Sequence, residues 1–476
     1  MKVRIENARA KIAVYTAEEK EWLDDFLSFK EIIFRKGHFG TKRIETIVSL
    51  LDKRSDTFPT GILPEIKKAA SECAVLLDVE DGRVPVCAYD IGADLEWLYE
   101  YQFEAVQAVV TATRGILHLS TGAGKTDIFC GLCKAIPCHW LFIVHRADLM
   151  HQAAQRWVKH GGHEPGVCGD SVWKPDPDRR LTVATFQTLA RGLAKPPDGA
   201  SAETVERHEA VLALLRDAEG LCVDECHVCP ASEFNKVTMQ TRRAYWRVGL
   251  SGTPLDRGDK RAIYAVGALG PVIYRVEPQK LIAMGILAQP KIVAVKLTQK
   301  LAVKGWQTAY KHLVVQSHVR NVLVIEIAKR AAKPAFVFVK NVEHGKLLTK
   351  ALNESGIKTE FVWGAKATAT RAQAIKDLRY GNIDVIVCSV VFQEGIDVPE
   401  LAAVINAAGM KSTIAALQRI GRGMRSDGGK KATFEVWDIK DEGNKHLVEH
   451  SRGRLRAYKK EGHTYEVITP GMLRAQ

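Results

Sequence analysis

Residues 115–132 read GILHLSTGAGKTDIFCGL, and this stretch decides the fold. An apolar run ends at Leu119, a short glycine-containing loop follows, and an apolar segment with helical spacing begins near Lys125. Gly122 and Gly124 allow successive backbone N–H groups to point inward as a nest for an anion. The N-terminus of the helix adds partial positive charge at the same place. The order of strand, glycine loop and helix therefore predicts a phosphate-binding loop.

In a loop of this kind the lysine reaches the outer phosphates of a nucleotide, and the hydroxyl that follows it binds Mg²⁺. The predicted phosphate-binding residues are Ser120, Thr121, Gly122, Ala123, Gly124, Lys125 and Thr126. The strict pattern GxxxxGK[ST] requires glycine at position 119, where this chain has leucine, but the TGAGKT core is intact. A glycine turn that merely caps a helix is the alternative, and GKT directly after a buried strand argues against it.

A second polar group follows the apolar run of GLCVDECH, residues 220–227. Asp224 is the predicted partner of Mg²⁺, and Glu225 is predicted to orient and deprotonate the attacking water. An Asp-Glu pair at the end of a strand is by itself a common solvated feature. Together with a phosphate loop it predicts hydrolysis of a nucleoside triphosphate.

A pair of arginines occurs late in the chain, in LQRIGRGMR at residues 417–425. Arg422 and Arg425 are three residues apart at the start of a predicted helix, so they share one face. Guanidinium groups in such a position act as arginine fingers, which neutralise charge on a transferred phosphoryl group. A basic surface helix is the alternative, and Gln418 with the neighbouring glycines favours the catalytic interpretation.

Short apolar runs alternate with amphipathic segments from about residue 115 onward, which predicts parallel sheets flanked by helices. We predict an α/β fold with two such domains, residues 89–280 and 281–440. A small α+β N-terminal domain, residues 1–88, precedes them. A basic helical extension, residues 441–476, follows them.

Composition limits the classes of function. The formal net charge is +13, and residues 291–350 carry 12 Lys or Arg against 2 Asp or Glu, which favours a polyanionic partner such as nucleic acid. Residues 1–85 carry 15 charges of each sign. The sequence has no apolar leader and no run that could span a membrane, so a cytosolic protein is expected. Its two CxxC pairs fall inside motifs, which favours buried free thiols over a zinc site.

The remaining motifs stand in an order typical of helicases. They are LYEYQFEAV (98–106), VHRADLMHQ (144–152), VATFQTL (183–189), GLSGTPLDRGD (249–259), FVFVKNVEHGKLL (336–348) and VVFQEGIDVPEL (390–401). With the phosphate loop, DECH and QRIGRGMR, they resemble the motif set of the superfamily 2 DExH helicases over residues 98–440. That family has two tandem RecA-like domains. Within it, the text at 38–68 and 450–465 is most similar to the phage recombination helicases and their XPB- and RecG-like relatives.

The resemblance implies a role for each matching residue. Catalysis is implied for Lys125, Asp224, Glu225, Arg422 and Arg425, and metal binding for Thr126 and Asp224. ATP binding is implied for Gln102 and Asp397 beside the phosphate loop. Coupling of hydrolysis to movement is implied for His227, Ser251, Thr253 and Gln418. Contact with nucleic acid is implied for Arg146, Thr185, Gln187, Lys340 and Gly395.

The resemblance also implies ATP and Mg²⁺ as cofactors and a function as an ATP-dependent DNA helicase or translocase. Its expected substrates are branched or partly single-stranded DNA, such as forks, junctions, D-loops or R-loops, in recombination, repair or replication. An RNA helicase, a double-strand translocase that does not separate strands, and a non-hydrolysing nucleic-acid-binding module are the alternatives. We expect a monomer in the cytosol of a bacterium or a phage-infected cell, with recombination or replication proteins as further partners. The N-terminal domain is expected to bind DNA.

Overall fold

Two compact units make up the chain in this computed structural model. The first comprises Met1–Leu119 and Gly124–Arg275, and the second comprises Ser120–Ala123 and Val276–Gln476. The structure describes residues 1–37, 40–92, 94–120, 122–176, 178, 180–227, 231–252, 262–300, 305–363, 368–389, 398, 400–410 and 432–475. No helix within these ranges is long and apolar enough to cross a membrane.

The N-terminal elements of the first unit form two small sheets. They are β1 (Lys2–Ile5), β2 (Arg9–Val14), α1 (Ala17–Leu27), β3 (Ser28–Gly37), β4 (Gly40–Ser49), β5 (Thr57–Pro59), α2 (Leu63–Glu72) and β6 (Asp78–Asp81). Four strands pair in the order β5–β2–β1–β6, in which β1 and β6 are parallel and the other pairs are antiparallel. The strands β3 and β4 form a separate antiparallel ribbon.

The rest of the first unit is a large sheet with helices. Its strands are β7 (Arg114–Leu119), β8 (Trp140–Val144), β9 (Gly166–Gly169), β10 (Val172–Lys174), β11 (Leu181–Thr185), β12 (Gly220–Asp224), β13 (Trp246–Ser251) and β14 (Val272–Val276). Its helices are α3 (Glu100–Ala112), α4 (Lys125–Ala135), α5 (Ala147–Lys159), α6 (Phe186–Gly192), α7 (Ala202–Asp217), α8 (Ala231–Thr238) and α9 (Ala262–Leu269).

Within the described residues the large sheet has the order β10–β9–β11–β8–β12–β13–β7–β14. Its six inner strands, from β9 to β7, are mutually parallel. Every residue of β8, β11 and β12 is buried, as expected for strands that have helices on both faces. Because the strands are parallel, β7, β12 and β13 end at the same edge of the sheet, and their C-terminal residues lie close together there.

The N-terminal sheet packs directly against α9. The two share one apolar core, which includes Val3, Phe58 and Ile62 from the small sheet and its neighbours and Leu269 from the helix. The backbones approach so closely that a Cβ atom on Gly61 would lie 2.6 Å from the Gly267 carbonyl oxygen. Only glycine fits at position 61, so the N-terminal segment and α9 pack with their backbones in close contact.

The second unit is a parallel sheet with flanking helices. Its strands are β15 (Gln289–Thr298), β16 (Ala335–Val339), β17 (Thr359–Val362), β18 (Val385–Ser389), β19 (Ala403–Asn406), β20 (Thr433–Glu442) and β21 (Tyr465–Ile468), in the order β17–β18–β16–β19–β20–β15–β21. Its helices are α10 (Pro278–Ala283), α11 (Trp306–Tyr310), α12 (His318–Arg330), α13 (Val342–Glu354), α14 (Thr368–Arg379), α15 (Lys445–Lys460) and α16 (Pro470–Ala475). The α/β class with parallel sheets that the sequence predicts is confirmed in both units.

Candidate functional site

The phosphate loop begins where β7 ends. All residues of β7 are buried except His118, which is half-buried, and α4 starts at Lys125. Gly122 has a φ of +92° and Gly124 a φ of +70°, backbone conformations that other residues rarely adopt. A Cβ atom on Gly124 would also collide with the side-chain amide nitrogen of Gln102. The backbone thus has the glycine turns that the predicted anion nest requires.

Gln102, the predicted reader of adenine, lies directly behind this loop. It is a buried residue of α3, and its Oε1 accepts a hydrogen bond from the backbone N–H of Tyr99 at 3.0 Å. Its amide nitrogen faces Gly124. The structure therefore brings the predicted adenine-reading residue and the start of α4 together.

The acidic pair of the DECH motif sits at the end of β12. Asp224 is the last residue of the strand, and Glu225 follows with a φ of +46°. This left-handed conformation is uncommon for a residue with a side chain and costs on the order of 1 kcal/mol or more. The backbone N–H of Glu225 donates to Asp224 Oδ1 at 2.9 Å. The turn thereby directs the two consecutive carboxylates into the same buried region.

Lys125 and Glu225 form a direct ion pair between Nζ and Oε1. Both side chains are largely buried, with 12% and 17% of their surface exposed. Burial alone would lower the pKa of Lys125 and raise that of Glu225, but each charge stabilises the other. As a result the pKa of Lys125 is raised and that of Glu225 is lowered from their ordinary values.

Asp224 is in a different electrostatic situation. Burial raises its pKa to about 6, and the neighbouring charge of Lys125 only partly opposes this effect. A buried carboxylate of this kind favours a nearby cation. Asp224 and Thr126 supply oxygen atoms, which are the ligands that Mg²⁺ prefers, so their chemistry fits the predicted metal.

His227 and Ser251, both predicted to couple hydrolysis to movement, meet at Glu225. The Ser251 hydroxyl is hydrogen-bonded to His227 Nδ1 and donates to Glu225 Oε2 at 3.4 Å. His227 Nδ1 is itself 3.4 Å from the same carboxylate oxygen. Glu225 is therefore joined by a hydrogen bond to Ser251, the last residue of β13.

His118 makes a contact next to this network that the sequence does not reveal. Its Nε2 is hydrogen-bonded to the backbone carbonyl of Gly252, just beyond β13. The sequence favours an ordinary strand role for it. Its polarity within an otherwise apolar strand is the signal that could have indicated more.

The residues predicted to contact nucleic acid in the first unit lie at the ends of β8 and β11. Arg146 forms an ion pair with Asp148, with 3.0 Å between Nη2 and Oδ2. Gln187 Nε2 donates to the backbone carbonyl of His145 at 2.8 Å, so it supports the turn that presents Arg146. The buried Thr185 donates to Thr188 Oγ1 at 2.8 Å. Gln187 and Thr185 therefore use these side-chain atoms for hydrogen bonds within the protein, and Gln187 lies beside the residue that precedes Arg146.

In the second unit, Lys340 is exposed, with its Nζ 5.7 Å from the centre of the Tyr310 ring. The basic segment 291–350 serves partly structural roles. Arg320 forms a buried ion pair with Asp441, Arg330 donates to the Leu473 carbonyl, and Lys333 donates to backbone carbonyls. Part of this segment's charge is therefore used within the fold.

A buried network fixes the segment that precedes the predicted arginine fingers. Asp438, on β20, accepts from Arg454 Nε at 2.9 Å and from the Tyr458 hydroxyl at 2.7 Å. Burial would raise the pKa of Asp438, but the Arg454 guanidinium holds it below its usual value. Arg454 Nη1 also donates to the carbonyl of Met410 at 2.7 Å. The remaining predicted site residues lie outside the described residues: Thr121, Thr253, Gly395, Asp397, Gln418, Arg422 and Arg425.

Two family models match the chain. Residues 96–256 match the model described as Type III restriction enzyme, res subunit, and residues 317–427 match the helicase conserved C-terminal domain. The ATP-dependent DNA helicase uvsW of Enterobacteria phage T4 is 28% identical over 409 residues, which cover 78% of this chain and 76% of that protein. The DNA 3'-5' translocase XPB2 of Sulfurisphaera tokodaii is 25% identical over 400 residues, covering 76% of this chain and 86% of the translocase.

Among solved structures, the DUF1998 helicase MrfA bound to DNA is similar with a TM-score of 0.56 and 13% sequence identity. The match covers 81% of this chain and 54% of that one. At this level of identity the likeness concerns the fold, and it confirms the predicted architecture of tandem RecA-like domains.

Proposed function

We propose that this chain is a superfamily 2 helicase, an ATP-hydrolysing, DNA-directed motor that remodels branched DNA such as forks and junctions. The observation that carries the proposal is the contact network that joins Lys125 to Glu225 and Glu225 to Ser251 and His227. It connects the phosphate loop to the end of β13. Similarity to the ATP-dependent DNA helicase of phage T4 over 409 residues supports DNA as the substrate.

In the proposed reaction, ATP displaces Glu225 from Lys125. The Lys125 ammonium then pairs with the outer phosphates, and the released carboxylate accepts a hydrogen bond from a water molecule. That water attacks the γ-phosphorus and passes its proton to Glu225, while the bond to the β–γ bridging oxygen breaks to give ADP and phosphate. Mg²⁺, held by Thr126 and Asp224, would neutralise charge on the phosphates.

Arg422 and Arg425 are proposed as the arginine fingers of this reaction, and Gln102 as the residue that reads adenine. Asp397 is a further proposed ATP contact. Each hydrolysis event changes the charge that faces Glu225. We propose that Ser251 and His227, with Thr253 and Gln418, convert this change into movement of the backbone after β13, to which His118 also connects.

DNA is proposed to bind mainly through its phosphates, so binding is tolerant of sequence and weakened strongly by salt. Arg146, Lys340 and Gly395 are the proposed contacts. In the first unit, Gln187 supports the turn that presents Arg146, and Thr185 supports the turn after β11. A monomer in a bacterial or phage-infected cytosol, acting beside recombination or replication proteins, is the setting that this function implies. We also propose that the chain has four domains, which comprise residues 1–88, 89–280, 281–440 and 441–476.

The test is ATP hydrolysis by the purified chain with no nucleic acid, with single-stranded DNA, with forked DNA and with RNA of matched sequence. Glu225→Gln serves as the inactive control in each case. Stimulation that is largest on forks and absent in the variant supports the proposal. Stimulation by RNA alone would replace it with an RNA helicase. Hydrolysis on duplex DNA without strand displacement would indicate a double-strand translocase.

A further inference from the structure

One face of α15 carries a row of exposed side chains that are mainly basic. Exposed positions recur every three or four residues along this helix, which is the spacing of a single helical face. The exposed basic residues are Lys445, Arg452, Arg456, Lys459 and Lys460. Glu449, the one acidic residue of the helix, is exposed on the same face between Lys445 and Arg452. The row therefore presents a net positive charge over about 16 residues, or roughly 24 Å at 1.5 Å per residue.

The two arginines at the centre of this face have no side-chain partner among the residues that the structure describes. Within the described residues, neither Arg452 nor Arg456 forms an ion pair or a side-chain hydrogen bond, although arginines elsewhere in the unit do so. Arg379, for example, pairs with Glu400 on the surface. Exposed guanidinium groups without carboxylate partners are suited to bind phosphate, which they can contact through two parallel hydrogen bonds.

The opposite face of α15 is firmly anchored. Leu447, Leu455 and Tyr458 are buried against the unit, and Arg454 lies fully buried in its ion pair with Asp438. The basic face consequently cannot turn inward. The same anchoring excludes a membrane-surface helix, because no apolar face is left to enter a lipid interface.

We propose that the exposed face of α15 binds the sugar-phosphate backbone of nucleic acid, as a contact additional to the helicase motifs. This inference rests on the proposed function, since it assumes that nucleic acid is the polyanion concerned. Its arginines repeat one helical turn apart, so one strand can place successive phosphates against them. Through Arg454, which also holds the Met410 carbonyl, the helix links this contact to the segment that leads to the predicted arginine fingers.

The test compares Arg452→Gln/Arg456→Gln with a control, Lys358→Gln/Lys376→Gln, in the full-length chain. Both variants remove two exposed positive charges from the same unit, so the net charge falls from +13 to +11 in each. Binding of fluorescently labelled single-stranded DNA is measured by anisotropy over 50–300 mM salt. Thermal melting establishes that both variants are folded.

We expect the arginine variant to bind about tenfold more weakly than wild type at 0.1 M salt and to lose about 1.4 from the slope of log K against log salt, as the loss of two phosphate contacts predicts. The control should keep the wild-type slope. If wild type binds DNA normally and the slope of log K against log salt is the same in the arginine variant as in the control variant, this inference is wrong and the proposed function stays intact. No DNA binding by wild type overturns both. A defect that appears only for a polyglutamate probe would overturn it in favour of an acidic protein partner.

Discussion

Lys125 Nζ is paired directly with Glu225 Oε1, so the residue expected to hold the γ-phosphate and the residue expected to activate water neutralise each other. ATP and Glu225 therefore compete for the same ammonium group. This competition makes the strength of ATP binding depend on Glu225 as well as on the phosphate loop.

Glu225→Gln should abolish hydrolysis, by a factor of about 10³ or more, and yet bind ATP more tightly than wild type. The amide cannot take the proton from water, and it competes less well than a carboxylate for Lys125. Titration with a fluorescent ATP analogue, read alongside phosphate release, measures both effects. Weaker ATP binding by this variant would mean that the ion pair does not oppose the nucleotide. Lys125→Ala should lose both binding and hydrolysis.

Asp224 should impose an acid limit on activity near pH 6. Its carboxylate must be ionised to hold Mg²⁺, and burial raises its pKa to about 6, so hydrolysis should rise as pH increases through that value. The pH dependence of kcat/KM from pH 5 to 8, measured at limiting ATP, tests this because it reports the groups of the free enzyme. A profile that is flat down to pH 5 would contradict the assignment.

The raised pKa of Asp224 lowers the stability of the fold as pH increases, whereas it raises activity. The folded chain binds a proton at Asp224 at a higher pH than the unfolded chain does, so the favourable contribution of the protonated form is lost as pH rises from about 4 to 6. Above that range the ionised group is a cost, and Asp224→Asn should raise the free energy of unfolding by about 1–3 kcal/mol at pH 7.5 without nucleotide. The exposed Asp198→Asn, measured by the same denaturant titration, should leave it unchanged.

Ser251→Ala should separate hydrolysis from movement. The Ser251 hydroxyl connects Glu225 with His227, and its removal leaves both carboxylates of the DECH motif in place. We expect ATP hydrolysis within about threefold of wild type and strand displacement on forked DNA reduced by at least tenfold, since a coupling contact is lost while the catalytic groups remain. The exposed Ser71→Ala is the matched control. Parallel loss of both activities would show that Ser251 serves catalysis directly.

Breaking the Arg454–Asp438 pair should destabilise the second unit severely. Arg454→Met leaves a buried carboxylate without its partner, which costs about 3–5 kcal/mol. Denaturant titration should show the loss, and Arg452→Gln, a surface change on the same helix, should show almost none. Adding Asp438→Asn should recover part of the stability. If it recovers nothing, the ion pair is not the origin of the effect.

Cys87 should be unusually reactive. A hydrogen bond from the Cys138 thiol lowers its pKa to about 7 in spite of partial burial, so much of it is thiolate at neutral pH. Peptide mapping after brief alkylation at pH 6 to 9 should give a labelling midpoint near 7, and Cys138→Ala should move that midpoint upward. Cys130, whose pKa burial raises to about 12, should stay unlabelled. An unchanged midpoint in the Cys138→Ala variant would argue against the hydrogen bond.

The sequence predicts the strand–loop–helix order and the glycine turns of the phosphate loop because these features are local. Gly122, Gly124 and Lys125 are close in the chain, and the parallel strands that carry Leu119 and Asp224 are recognisable as mainly apolar runs. The α/β class follows from the same runs. Each of these features depends on residue type and short spacing alone.

The sequence does not predict the contacts between segments that are distant in the chain. The ion pair between Lys125 and Glu225 joins residues 100 positions apart, and only the strand order places them together. The basic segment 291–350 shows the converse difficulty. Its charges look uniform in the sequence, although Arg320 is buried against Asp441. Burial depends on which helix face meets the core, and a count of charges cannot supply that.

The close approach of Gly61 and Gly267 has a consequence for how this chain can evolve. Residues 1–81 share their apolar core with α9, and a Cβ atom on Gly61 would collide with the backbone of that helix some 200 positions away. A change on one side must be answered on the other. The N-terminal segment is therefore inherited with the ATP-binding unit as one piece, and transplanting it between relatives requires carrying α9 along with it.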